Sequence, residues 1–346
     1  MPDPAEIGVV LVGLGVRGRT WVDVCRTTEG VELIATVDAD PARGADYREL
    51  EHALDLTDAN VVVVATPPES HHGLVSLAVA KNKHVICEKP LSEDLAEVRD
   101  LIARAKVVGV HLLVGMNFRY LSTSQTIREH VETRRLGELA YASFSYVRHR
   151  DGRREDLNDY PLTMRHPMLF EQSVHHFDLL RYCYGREVEA LVADTFRPAS
   201  STYEGDCCVS VQFRLEGGAR VSYLGTWTAS WNKMDFRWRS DFEGGVLTQR
   251  EQFDDLVRVD FQPELGMSGP RFKTREQSEP EHVCQLVPCV PFIDDTRGLL
   301  KELMAALRDG DRTVTTAADH LETLLVVEAC VVSAREQRWV RLSELR

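Results

Sequence analysis

The sequence predicts an α/β chain: a doubly wound parallel sheet over residues 1–118, then an α+β domain over residues 119–346 built on a large open, mostly antiparallel sheet. Three observations predict it. Continuous apolar runs alternate with helical stretches through the first third, the pattern of a parallel sheet covered on both faces. A glycine turn, GLGVRG, closes the first of those runs. From residue 139 the chain changes to β-rich segments, several alternating apolar and polar, as in a sheet with one wetter face.

The apolar runs are IGVVLVGLG (7–15), VELIATVD (31–38), NVVVVATPP (60–68), KHVICEKP (83–90) and VHLLVGMN (110–117). Between them HHGLVSLAVAKN and SEDLAEVRDLIARAKVVG read as helices, the second opening on a cap near Ser92 and closing at Gly109. The stretch between the second and third strands is short, so its helix is expected to be brief. GLGVRG stands between the first strand and the helix RTWVDVCRTT, which is the context a G-x-G-x-x-G needs to mean dinucleotide binding. Gly13 permits the tight turn, Gly15 lets a pyrophosphate approach, and Gly18 allows close helix packing; Leu14, Val16 and Arg17 complete the turn. Asp38 ends the second strand twenty residues after Gly18, where a carboxylate can accept from ribose hydroxyls. Asp38 and Asp40 repel a 2′-phosphate, so NAD is favoured over NADP, with Arg17 and Arg43 as the residues that would favour NADP.

The second domain reads as strands LAYASFSYVRHR, EALVADTF, CCVSVQFRL, ARVSYLGTWTA, MDFRWRSDF, GVLTQREQ and LVRVDFQ, with Glu216-Gly217-Gly218 as a hairpin. Polar stretches 151–167 and 263–282 read as long loops. RHPMLFEQSVHHFDLLRYCYG is a helix with Pro167 near its start and Gly185 past its end. Phe170, Val174, Phe177 and Tyr184 form its apolar stripe, and Glu171, His175 and Asp178 share a neighbouring face. A metal site at His175-His176 or His71-His72 is disfavoured, because adjacent helical residues diverge by roughly 100°. The expected metal content is none. The segment HLETLLVVEACVVSARE reads as a closing helix, about residues 316–336, packed near the domain junction.

Composition excludes several classes of function. The chain has 346 residues, 43% hydrophobic and 27% charged, ordinary for a globular protein. Its formal charge of −13 opposes nucleic-acid and anionic-lipid partners. No apolar run approaches the roughly 18 residues of a membrane span, and the acidic, proline-rich start does not resemble a secretory leader, so the cytoplasm is expected. Cys25, Cys87, Cys183, Cys207, Cys208, Cys284, Cys289 and Cys330 show no C-x-x-C spacing and read as reduced thiols.

The order GLGVRG, VD, ATPPESHH, KHVICEKPLS, VGMNFRY, LGEL, EQSVHHFDLLRYCYG and SARE resembles the glucose-fructose oxidoreductase / inositol dehydrogenase / rhizopine catabolism (Gfo/Idh/MocA) family nearly end to end. The EKP triplet and the H-x-x-D helix carry the resemblance in combination. It implies an N-terminal Rossmann domain, a second domain whose open sheet makes a homodimer or homotetramer, and a cis Lys89-Pro90 bond. It also implies that Lys89 is the active-site lysine and His175 the catalytic histidine. Glu171 stands where inositol dehydrogenases have aspartate, which puts the substrate in question more than the activity. Asn117 and Arg119 fall near cofactor and substrate, and Thr66, Pro67 and His71 match the cofactor-side TPPxxH turn, with Glu88 of the EKP triplet beside it.

Hydride transfer from an alcohol needs a base for the hydroxyl proton and positive charge near the oxygen. His175 is the expected base, Lys89 the donor to the reacting oxygen, and Glu171 the group that orients or charges the imidazole. Pro90 fixes the lysine at the carboxyl edge of the sheet, where ligands of such folds bind. Arg148, His149, Arg153, Arg154, Tyr160, Arg165 and His166 offer donors for a substrate, of which Arg148 and His166, with Arg119, are the expected contacts. Trp227, Trp231 and Trp238 read as packing residues rather than sugar-stacking ones. The expected activity is an NAD-dependent dehydrogenase acting on a secondary hydroxyl of a sugar or inositol-like polyol. The alternatives are a dihydrodiol or imine-type substrate on the same fold, and a non-catalytic dinucleotide-binding sensor, which the presence of both Lys89 and His175 opposes.

Overall fold

The computed structural model describes residues 7–152, 158–230, 233–261 and 280–346. Two compact units are each assembled from separate stretches: Met1–Tyr120, Arg153–Asp178 and Cys289–Val327 in the first, Leu121–Gly152, Leu179–Pro288 and Glu328–Arg346 in the second. The chain therefore returns to the first unit twice, where sequence patterning suggested one boundary after residue 118.

The first unit is built on a five-stranded sheet of order β2-β1-β3-β4-β5, formed by β1 (Ile7–Val12), β2 (Val31–Val37), β3 (Val61–Val64), β4 (His84–Cys87) and β5 (Leu112–Val114). Every pairing in it is parallel. Its strands are nearly continuous apolar runs because helices cover both faces, and all four residues of β3 are buried. The helices are α1 (Val16–Thr27), α2 (Leu50–Leu56), α3 (His71–Ala80) and α4 (Leu95–Val108), and α2 is as brief as the sequence suggested. At α4 the cap is Asp94 rather than Ser92: its Oδ1 accepts from the Ala96 N–H at 2.7 Å, while Ser92 donates to Glu97.

The second unit opens with α5 (Ser122–Glu132). Among the described residues it carries nine strands: β6 (Leu139–Val147), β7 (Val188–Phe196), β8 (Cys208–Leu215), β9 (Arg220–Thr226), β10 (Asp235–Phe242), β11 (Gly245–Gln249), β12 (Leu256–Asp260), β13 (His282–Val283) and β14 (Val340–Arg341). Their order is β13-β12-β11-β10-β6-β9-β8-β7-β14. The sheet is antiparallel except where β6 runs parallel to β9. Residues Glu216–Gly218 join β8 to β9 as expected, with Gly217 and Gly218 at φ of 76° and 91°, conformations that favour glycine. Phe144, Tyr223, Phe236 and Trp238 pack together on one face. Tyr141 and Leu224 stand exposed. Trp227 and Trp238 are buried; the first lies under the Arg150 guanidinium and the second donates to the Tyr184 hydroxyl at 2.7 Å. Trp231, Arg153, Arg154 and most of the loop at 263–282 lie outside the described residues.

Among the described residues there are three further helices: α6 (Val174–Tyr184), α7 (Asp294–Asp309) and α8 (Ala317–Glu336). Sequence patterning missed α7. It returns to the first unit and buries Leu299, Leu300 and Leu303 against Trp21, Val24 and Cys25 in the core shared with β1 and β3. Each such leucine contributes about 1.5–3 kcal/mol of burial free energy, so α7 belongs to the core and not to an appendage. All eight cysteines are free thiols. Among the described residues no helix is long and apolar enough to cross a membrane.

Candidate active site

The glycine turn between β1 and α1 is shaped by what a side chain would strike. A Cβ on Gly13, whose φ is +93°, would lie 2.7 Å from the Ala65 carbonyl oxygen, and one on Gly18 would lie 1.9 Å from that of Gly13. A Cβ on Gly15 would meet nothing within 4 Å. The turn is thus closed behind and open in front, where the start of α1 presents N–H groups that no side chain of Gly15 caps. Asp38, just past β2, accepts from the Leu14 N–H at 2.7 Å and, through its other oxygen, from the Asp40 N–H at 2.9 Å. Its carboxylate ties the turn to the strand end, and each oxygen keeps acceptor capacity for a ribose hydroxyl.

Arg17 points to the end of β4. Its Nε donates to Glu88 Oε1 at 2.6 Å, and the Trp21 indole N–H donates to the same oxygen at 2.7 Å. Burial pushes the Glu88 carboxyl up, yet Arg17, the Trp21 N–H and Lys89 together outweigh it and hold it below its ordinary value. Both ring nitrogens of the fully buried His71 lie 2.9 Å from carbonyl oxygens, those of Pro90 and Thr66. This imidazole clasps the TPP turn to the EKP corner. Pro67 precedes the short helical turn Pro68–Ser70, and the Thr66 hydroxyl is bonded to that of Ser70.

Lys89 is followed by a cis proline, as expected. Its ammonium donates to the Glu171 main-chain carbonyl at 3.0 Å and to Glu171 Oε2 at 3.2 Å. The Tyr160 hydroxyl donates to the other carboxylate oxygen at 2.7 Å. Glu171 lies in a π-helical segment, Met168–Ser173, that runs directly into α6. In that geometry main-chain bonds span i to i+5, and such turns recur at functional sites. His175, one residue into α6, is buried and stacks on Phe118 with ring centroids 4.3 Å apart and planes 21° apart. Its Nδ1 is buried with no hydrogen-bond partner. Burial, then the charge of Lys89, lower the pKa of His175 well below the ordinary histidine value, so the ring is neutral at pH 7. Lys89, Glu171 and His175 all belong to the first unit.

Two family profiles match this chain: "Oxidoreductase family, NAD-binding Rossmann fold" over residues 7–116 and "GFO/IDH/MocA C-terminal domain" over residues 124–248. The chain belongs to the Gfo/Idh/MocA oxidoreductase family. Among Gfo/Idh/MocA proteins, a D-apiose dehydrogenase of Paraburkholderia graminis is 27% identical over 97% of this chain and 89% of its own length. A myo-inositol 2-dehydrogenase of Thermotoga maritima is 30% identical over 55% of this chain and 58% of its own. A crystal structure of an oxidoreductase from Agrobacterium radiobacter, in complex with NAD+, L-tartaric acid and magnesium, shares the fold with a TM-score of 0.85 at 20% identity, over 99% of this chain and all of that one. NAD is the cofactor of the first unit's fold, and the open front of Gly15 and the uncapped start of α1 fit its pyrophosphate.

Within this Gfo/Idh/MocA site several of the expected residues are held by protein partners. Arg119 is buried, with Nε and Nη2 donating to Asp178 at 2.7 and 2.5 Å, Nη1 to the Val314 carbonyl at 2.7 Å, and Nη2 also to Asp319. A guanidinium taken out of water is stable only with such partners, and its charged form is strengthened by them. Glu171 bonds Lys89 and Tyr160 rather than His175, because the π segment alters the α-helical spacing on which that pairing rested. Arg17 is held by Glu88, and Arg43 pairs with Asp40 at 3.6 Å. Asn117 is buried and donates to Asp295 Oδ2 at 2.6 Å. His166 is buried at the turn before the π segment, its carbonyl accepting from the Leu169 and Phe170 N–H groups. Val16 is exposed at the start of α1, and Arg148 follows β6 in the second unit. Sequence reasoning missed Phe118, Trp21, Asp295 and Asp319. Trp21 stands three residues past Gly18, and Phe118 lies within VGMNFRY.

Proposed function

We propose that this oxidoreductase transfers a hydride between a secondary hydroxyl of a sugar or inositol-like polyol and NAD. The observation that carries the reading is the pairing of a fixed ammonium with a neutral buried imidazole in the unit that bears the glycine turn. NAD, when bound, supplies the hydride acceptor. Lys89 gives two of its three N–H donors to Glu171, and the third is left for a substrate oxygen, where positive charge favours loss of the hydroxyl proton. His175 takes that proton: a neutral ring can accept it, and stacking on Phe118 fixes the ring plane. Glu171 holds the lysine, and Tyr160 holds Glu171. The relatives named as apiose and inositol dehydrogenases support the polyol assignment. In the reducing direction the same groups exchange roles.

The test is NADH formation, followed by near-ultraviolet absorbance, over a panel of sugars and cyclitols. Lys89→Ala is expected to abolish turnover while NADH still binds by fluorescence titration. Undiminished turnover in that variant removes the mechanism.

A further inference from the structure

We propose that Arg148 and Arg150 form an oxyanion site in the second unit, built to take a carboxylate or a phosphate group. The inference goes beyond the dehydrogenase reading, because it concerns a charged ligand group and residues to which that reading gives no part. It starts from how this chain treats its arginines. Among the described residues, every other arginine that is not exposed has a carboxylate oxygen within 2.9 Å, as Arg181 has that of Glu187 and Arg258 that of Asp260. Arg148 and Arg150 are likewise half-buried, yet among the described residues no carboxylate oxygen lies within 4.0 Å of either guanidinium. Enclosing a charge without a counter-ion costs free energy, and a ligand that brings the counter-ion removes the cost.

The backbone that carries the two arginines is fixed. Past the end of β6 at Val147 the chain stays extended: the Arg148 N–H donates to the Thr226 carbonyl at 3.0 Å, the Arg150 N–H to that of Trp227 at 2.8 Å, and His149 bridges to Thr228. Side chains alternate along such a segment, so Arg148 and Arg150 share the face of the buried Phe144 and Tyr146, and His149 leaves by the other. Each guanidinium rests on an aromatic residue of this unit. Arg150 lies over the buried Trp227 ring, 4.2 Å from its centroid, and Arg148 donates to the Tyr146 hydroxyl at 3.4 Å. A guanidinium stacked by its face keeps its in-plane N–H donors, the fork that matches a carboxylate or phosphate. Burial pushes the Tyr203 hydroxyl up to about 12, and the charges of Arg150 and Arg148 both pull against that rise, so the two cations act on one neighbourhood. The acid next in sequence, Asp151, accepts instead from the Thr202 N–H and hydroxyl.

The experiment is titration calorimetry of the full chain with sodium gluconate and with inorganic phosphate, at an ionic strength held constant by sodium chloride. Both anions are expected to bind. Arg148→Gln and Arg150→Gln are each expected to weaken that binding by about ten-fold or more, the loss of one charge-assisted contact. Arg214→Gln is expected to leave it in place, because Arg214 stacks on Trp339 at 4.1 Å in the same way but is exposed. Gluconate that competes with a neutral polyol in the NADH assay identifies the oxyanion as part of the substrate, and phosphate that alters turnover without competing identifies a free ion; either result supports the site. Heats no larger than those of chloride overturn it. Affinities unmoved in both arginine variants, or lowered equally by Arg214→Gln, overturn it as well. Binding lost in the two variants supports the site even where no polyol yields NADH, which is the result that removes the dehydrogenase reading.

Discussion

The Arg119 cluster distinguishes a structural arginine from a substrate contact by measurement. Asp178→Ala removes two of the guanidinium's charge-assisted bonds, at 2.7 and 2.5 Å, and one acceptor of the Thr323 hydroxyl. Breaking a buried ion pair by deleting one partner costs about 3–5 kcal/mol. Asp319 and the Val314 carbonyl stay on Arg119, so the charge is not left bare and the cost falls at the lower end, about 3 kcal/mol, or roughly a hundredfold in the folding equilibrium. Urea denaturation followed by far-ultraviolet circular dichroism reads this directly. Asp178→Asn, which keeps one acceptor oxygen, is expected to lose less. The double change Arg119→Met with Asp178→Leu is expected to recover most of the loss, because an apolar replacement of a buried pair leaves no orphaned charge. Were Asp178→Ala to leave the denaturation midpoint in place and raise KM alone, Arg119 would belong to the substrate and the structural reasoning would fail.

Other expectations follow from the same geometry. Tyr160→Phe removes one bond from a charged acceptor, of order 1.5–3 kcal/mol, and is expected to lower kcat/KM at least about ten-fold with NADH affinity unchanged; affinity falling in parallel would show that Tyr160 acts elsewhere. Gly15→Ala is expected to fold normally and bind NADH more weakly, whereas Gly18→Ala, with its Cβ 1.9 Å from the Gly13 oxygen, is expected to destabilise the first unit; circular dichroism and fluorescence titration separate the two. Burial lowers the pKa of His71 and His175, takes His84 to about 4 with help from His111, and takes His176 to about 3. In each case the folded state binds its proton less readily than the unfolded chain, whose histidines titrate near ~6.5. Their contribution to stability is present above that pH and is lost as pH falls through the folded values. Asp295, raised to about 6 by burial, acts oppositely, its contribution being lost as pH rises through that value. Urea midpoints are therefore expected to decline below about pH 6.5, and His84→Gln to lessen the decline; midpoints rising on acidification would contradict the burial of these rings.

What the sequence disclosed and what it hid divide along the reach of the interactions. The five parallel strands were legible because burial on both faces leaves uninterrupted apolar runs, and the glycine turn because its three glycines serve a purely local geometry. Lys89 was legible through its neighbour, Pro90. The helix after Pro167 was legible too, yet its first turn is π-helical, and no residue of MLFEQS announces that; the face shared by Glu171 and His175 was drawn with the wrong spacing. Counter-ions were the most obscure. Arg119 meets Asp319 from 200 residues away and Asn117 meets Asp295 from 178. A linear reading therefore sees Arg119 and Asn117 near a cofactor segment but not the carboxylates that α8 and α7 bring back to them. Reactive groups sit in local motifs, and their electrostatic balance comes from segments that patterning cannot place. The charge balance of a site is thus harder to read from one sequence than its reactive groups, and in this chain Lys89 is legible from its motif while its partner Glu171 comes from 82 residues away.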